Sequence, residues 1–220
     1  ISFEFVKNQK RHFCLLSYGG IENKSTSNEH VICSDDMYLI YPTSLLESCD
    51  KKQQQQQKRF IVQRILNTSE EENASPGKRM NSYMVVLQSR YLFLFGGHAI
   101  VKSFCDLWML DLHALVEQVY ISNSQVQPKW VLASSSVGLS PPLYLASSVA
   151  LAYGSDRILL VGGELQGMAQ ACVYCINVAP VLLKVKRDPI SIFNNNLYEF
   201  ATSTSNLSRL CDTSLQFYAE

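Results

Sequence analysis

Three times in this chain an apolar run stops on two adjacent glycines: Leu16-Ser-Tyr-Gly19-Gly20, Phe93-Leu-Phe-Gly96-Gly97 and Leu160-Val-Gly162-Gly163. A glycine pair at a strand end permits positive φ. It also leaves no Cβ, so a neighbouring backbone or aromatic can come close. After each pair comes a polar loop and then a strand with an aromatic near its start. These strands are Asp35-Asp-Met-Tyr38-Leu-Ile-Tyr41, Asp106-Leu-Trp108-Met-Leu-Asp111-Leu and Ala171-Cys-Val-Tyr174-Cys-Ile-Asn177. A further apolar run follows each: 60–65, 130–133 and 182–186. Pro-led entries at Ser75-Pro76 and Ser140-Pro141 lead into the runs 84–87 and 149–153. Short β-rich runs split by Gly, Pro, Ser and Asn predict an all-β fold of repeated four-stranded units. Residues 107–119 have enough apolar positions for a helix, but the repeat reads their first half as a strand.

The order resembles the kelch repeat: an Arg-containing entry, a strand ending in Gly-Gly, an Asp-aromatic strand and an outer Trp strand. The unit 76–133 matches most fully, with Arg79, Gly96, Gly97, Asp106, Trp108, Asp111 and Trp130. The third unit keeps Gly162, Gly163 and Tyr174. The first keeps Gly19, Gly20 and Tyr38, with Phe60 in the Trp place. The resemblance implies an all-β, kelch-like β-propeller of about three blades, 1–66, 76–133 and 140–188, with 189–220 a partial blade or tail. Tyr38, Trp108 and Tyr174 are expected to pack over the glycine gaps, and Trp130 and Phe60 over the seams. By resemblance, Arg79 links blades through buried hydrogen bonds. The glycine pairs lie 77 and 66 residues apart, against about 50 for a kelch unit. The excess is assigned to polar loops: 48–59 with the Gln53–Gln57 run, 67–78, and 113–129. Three blades cannot close a ring, since propellers need about four or more. The resemblance therefore implies an incomplete ring, with further blades or domains outside this sequence.

Composition narrows the function classes. Apolar residues are 47% and charged residues 17%, which suits a packed domain. Net charge is zero, so no global field draws in nucleic acid or anionic membrane. No apolar run reaches the roughly 18 residues of a membrane span. The start, from Ile1, has no signal-peptide pattern and reads like the middle of a longer chain. Seven irregularly spaced cysteines argue against a disulfide framework and for a reducing cytoplasmic or nuclear setting.

No cofactor, metal or catalytic set is expected. Cys172 and Cys175 stand three apart in a strand and so point to opposite faces, which favours packing over zinc or redox chemistry. Asp35-Asp36 and Glu70-Glu71-Glu72 read as solvated loop charges. No nucleophile elbow, dinucleotide fingerprint or P-loop is present. The expectation is a non-catalytic protein–protein interaction scaffold binding a protein partner through the loops 21–30, 98–104 and 164–170. His98, Lys102, Glu164 and Gln166 are the candidate contacts. The alternative implied by the resemblance is the C-terminal kelch part of a larger enzyme, such as a leucine carboxyl methyltransferase-like enzyme of wybutosine synthesis on transfer RNA.

Overall fold

The computed structural model describes residues 1–7, 9–22, 32–43, 60–65, 75–100, 102–104, 106–121, 128–134, 149–165, 168–169, 171, 173–187 and 207–210. They form mostly β-strands, in three four-stranded antiparallel sheets with no closed barrel. The first sheet is β1 (Ser2–Lys7), β2 (Lys10–Glu22), β3 (Ile32–Pro42) and β4 (Phe60–Ile65), in that order. The second is β5 (Tyr83–Leu87), β6 (Tyr91–Phe95), β7 (Leu107–Asp111) and β8 (Trp130–Ser134). Helix α1 (Leu112–Ile121) lies between β7 and β8. In the third, β9 (Val149–Tyr153) and β10 (Arg157–Val161) are followed by the hairpin β11 (Glu164–Leu165) and β12 (Met168–Ala169). Then come β13 (Val173–Asn177), helix α2 (Ala179–Arg187) and β14 (Leu207–Leu210). Each sheet is a meander, in which strands consecutive in the sheet are antiparallel neighbours.

One register runs through all three. Ser17 pairs with Tyr38, Leu94 with Trp108, and Leu160 with Tyr174. Each aromatic therefore stands opposite the residue two before its glycine pair. The same count defines two faces, because side chains alternate along a strand. Residues one and three before each pair form the front: Tyr18 and Leu16, Phe95 and Phe93, Val161 and Leu159. Residues two and four before it form the back.

The front of the first sheet packs on the back of the second. One core joins Leu16, Tyr18, Met37 and Leu39 to Leu92, Leu94, Trp108 and Trp130. The front of the second packs on the back of the third, where Val85, Phe93 and Met109 meet Ile158, Leu160, Tyr174 and Ile176. The middle sheet is thus covered on both sides, and all five residues of β6 are buried. Burying each Leu or Phe this way stabilises by about 1.5–3 kcal/mol.

The two helices occupy equivalent places. Asp111 Oδ1 accepts from the backbone N–H of His113 (3.0 Å) and Ala114 (3.3 Å), capping α1. Asn177 Oδ1 accepts from Ala179 N–H at 3.0 Å. Leu112, Leu115, Val116 and Val119 are all buried, as are Val178, Val181, Leu182 and Val185. Both sets follow the i, i+3, i+4, i+7 spacing of one helix face. Leu112 N–H bonds Arg90 O and Val178 N–H bonds Asp156 O, both 2.9 Å, which fixes each helix to the turn joining its sheet's first two strands.

Here the structure corrects the sequence reading. Residues 182–186 lie in α2 and are not an outer strand; the fourth strand of the third sheet is β14, so that unit passes residue 188. The first half of the expected polar loop 113–129 is α1. Val62, not Phe60, holds the place of Trp130: Val62 pairs with Ile40 as Trp130 pairs with Leu110. The Gln run at 53–57 and the Glu run at 70–72 lie outside the described residues.

Candidate functional site

All six paired glycines have positive φ: 70° and 117° at Gly19 and Gly20, 63° and 86° at Gly96 and Gly97, 68° and 113° at Gly162 and Gly163. At Gly19 and Gly97 the space the missing Cβ leaves is filled by backbone and not by the expected aromatics, while a Cβ on Gly20 would meet nothing within 4 Å. A Cβ on Gly19 would collide with the carbonyl oxygen of Arg79. One on Gly97 would lie 2.7 Å from Met80 O and 2.9 Å from Ser82 N. The segment 79–82 therefore threads between the glycine-pair ends of the first and second sheets. Tyr38, Trp108 and Tyr174 sit farther down their sheets, as the register requires.

Arg79 fastens this junction. Its backbone faces the first sheet: Gly20 N–H bonds Arg79 O at 3.0 Å and Arg79 N–H bonds Ser34 O at 3.2 Å. Its fully buried guanidinium faces the second. Nη1 donates to Gly96 O (2.8 Å) and Asp106 Oδ1 (2.7 Å), and Nη2 donates to Asp106 Oδ2 (2.9 Å) and Pro76 O. The Phe104 ring lies 3.9 Å from Cζ, covering the cation. Trp108 Nε1 also donates to Asp106, at 2.7 Å. Both terminal nitrogens are fully used in this two-pronged arrangement, which lets the charge be buried, while Nε has no hydrogen-bond partner among the described residues.

The indole of Trp130 packs edge-on against Tyr18 at 5.3 Å across the seam, and the Tyr18 hydroxyl donates to Gly77 O at 3.0 Å. Burial pushes the Tyr18 phenol well above its ordinary pKa, so it stays a neutral donor.

Each glycine pair opens into a hairpin. After Gly20, β2 and β3 stay paired through Ile21 with Cys33 and Glu22 with Ile32. After Gly97, His98 bridges Ser103, and Phe104 N–H bonds Gly97 O at 2.9 Å. After Gly163 comes the β11–β12 hairpin. Because Arg79 touches both glycine pairs, the first two hairpins leave the same end. At the opposite end Gln88 Nε2 donates to Ser155 O at 2.9 Å, tying the turns of the second and third sheets. The third hairpin is therefore aligned with the others.

Of the candidate contacts, His98 and Lys102 lie together on the second hairpin. His98 is half-buried and held on every side. Its backbone exchanges two 2.9 Å bonds with Met80, and its carbonyl accepts from the Cys33 thiol at 4.0 Å. Its Nε2 lies 3.1 Å from Asn81 Nδ2 and its Nδ1 3.4 Å from Ala99 O, which fits the Nδ1-protonated tautomer. Lys102 is exposed, with its ammonium 5.0 Å from the Phe104 ring. Glu164 begins the third hairpin, and Gln166 lies outside the described residues.

Asp35 and Asp36 are not in a loop. They belong to β3, where Asp36 pairs with Arg64 at 2.5 Å and accepts from the Tyr38 hydroxyl at 3.3 Å. Cys175 is a free, buried thiol, and Cys172 lies outside the described residues. Among the described residues no three His, Cys, Asp or Glu side chains converge on one point.

Sequence reasoning missed Asn81 and Phe104. Asn81 has φ 54°, a conformation that Asn tolerates better than most residues, and it follows a Pro-Gly turn closely enough to have been suspected. Phe104 carries no sequence signal. A small pocket of about 150 Å³ lies at the opposite end, between α1 and β8, lined by Asp111, Leu115, Gln118 and Lys129 among others. That is below the size of ordinary small-molecule sites. No helix among the described residues is long and apolar enough to cross a membrane. Compared with known proteins, the sequence matches no family model and no curated protein.

Proposed function

We propose that this chain is a kelch-like β-propeller segment and serves as a non-catalytic interaction scaffold, holding a protein partner at the glycine-pair end. One observation carries the reading: three equivalent sheets in one stack each send out a hairpin at the same end, immediately after paired positive-φ glycines. Rigid sheets that present variable loops in a row are a common basis for recognition. The contacts are Lys102 and Glu164 with their hairpins, joined by Gln166, while His98 shapes the second hairpin from beneath. The buried free thiols of Cys14, Cys33 and Cys175 agree with a reducing cytoplasmic or nuclear compartment.

The test is affinity capture under cross-linking from cells expressing the chain. Lys102→Glu with Glu164→Arg should abolish capture of a specific partner. Gln88→Ala with Ser155→Ala, at the opposite end, should leave it intact. Equal capture by all forms would overturn the proposal.

A further inference from the structure

Among the described residues the stack has two free ends, and they differ. Both internal seams are made front to back, so among the described residues the back of the first sheet and the front of the third are left uncovered. Neither is polar. On the back of the first sheet Phe13, Leu15, Phe60 and Val62 are 71, 50, 57 and 64% exposed. Leu15 pairs with Ile40, and Ile40 with Val62, so they make one apolar row. The row has the same position as Leu92, Leu110 and Trp130, which the middle sheet buries in its own seam. Two ion pairs frame it, Arg11–Glu4 at 3.4 Å and Arg64–Asp36 at 2.5 Å. On the front of the third sheet Val149, Leu151, Tyr153 and Val161 are 55, 49, 54 and 38% exposed. Their rows run Val149–Val161–Val173 and Leu151–Leu159–Cys175. These match the middle sheet's buried Tyr83–Phe95–Leu107 and Val85–Phe93–Met109.

We propose that the occupant of each free face is a second copy of this chain, the front of one copy's third sheet seating on the back of the other's first sheet. A front is what a back already receives twice within the chain, so the free faces are complementary by the same construction. Two contiguous apolar sheet faces on one chain are also more than a monomer ordinarily exposes. A head-to-tail contact either closes or grows into a filament. Two copies bring six sheets, within the roughly four to eight that radial sheet stacks close with. The closed two-copy ring therefore makes two identical seams and leaves no free face. Only its closure rests on the propeller reading.

Sedimentation velocity and light scattering on the full chain test this. The wild type should weigh twice 24.8 kDa. Leu15→Asp and Leu151→Asp change residues exposed in the single chain, so each variant should keep its circular dichroism. Each removes both seams, with dimer affinity falling more than about 100-fold because an aspartate would be buried unpaired. Mixing the two variants leaves one seam intact and should restore a species of twice the mass, whereas neither forms it alone. A monomeric wild type, or a concentration-dependent ladder beyond two copies, overturns the proposal. So does a dimer broken by Leu15→Asp alone, which would join backs to backs. None of these outcomes bears on partner capture by the hairpins.

Discussion

Arg79 concentrates more of the fold than any other residue, because its main chain and side chain serve different sheets. Removing the guanidinium leaves Asp106 facing a buried gap with Trp108 as its remaining donor. Arg79→Ala is expected to cost about 3–5 kcal/mol, the usual penalty for breaking a buried ion pair. Arg79→Lys should recover only part of it, because an ammonium cannot make the two-pronged contact. Urea unfolding of the three proteins reads both differences. His12 gives a pH-dependent counterpart. It is buried on the front of the first sheet opposite Phe5, and its pKa is lowered by burial first, then by Lys7 and Lys10. The unfolded imidazole, titrating near 6.5, thus takes up protons more readily than the folded one. Stability is full above about pH 6.5 and falls as pH drops towards the lower folded value. The melting temperature of the wild type should fall more between about pH 8 and pH 5 than that of His12→Phe, and equal slopes would remove His12 as the cause. Cys14 is simpler: burial raises its thiol pKa to about 11, so it should resist alkylation until the chain unfolds.

At the scale of elements, the helices show what one repeat hides behind another. Asp111 closes a strand, caps a helix and pairs with Arg90 Nη2 at 2.6 Å. Asp111→Asn keeps the capping oxygen and loses the charge, while Asp111→Ala loses both. The alanine variant is expected to lose about 0.5–2 kcal/mol for the cap. The asparagine variant should lose under about 1 kcal/mol, because Arg90 is half exposed. Thermal unfolding separates the two, and equal losses would show that the cap contributes nothing. The strands and glycine pairs were legible because β alternation and paired glycines survive in a single sequence. The helices were legible too, but only by aligning the units at the third strand. Asp111, Leu112, Leu115, Val116 and Val119 recur 66 residues on as Asn177, Val178, Val181, Leu182 and Val185, the interval between the second and third glycine pairs. Taking the next apolar run after Asn177 as the outer strand put 182–186 in a strand instead. The partner of Arg79 was half legible: Asp106 stood in the motif, but the covering ring of Phe104 depends on how the loop 97–104 folds back.

For the whole molecule, the sequence announced three units but not which face of each is covered, because after Arg157 β10 is as apolar on paper as β6. The difference lies in neighbours. The middle sheet has one on each side, while the first and third have one each. That asymmetry should be measurable as a gradient of local stability, since amides open least where both faces are packed. In Leu15→Asp, the single-chain form, hydrogen exchange should be slowest in Tyr91–Phe95 and Leu107–Asp111. It should be faster in Phe60–Ile65 at the open edge of the first sheet and in Val149–Tyr153 on the uncovered side of the third. In the wild type the two-copy ring covers the outer faces as well, so protection there should rise with protein concentration while the middle sheet stays unchanged. Uniform protection across all three sheets in the single-chain form would mean that they unfold as one unit, and that the stacking seams are as strong as the sheets they join.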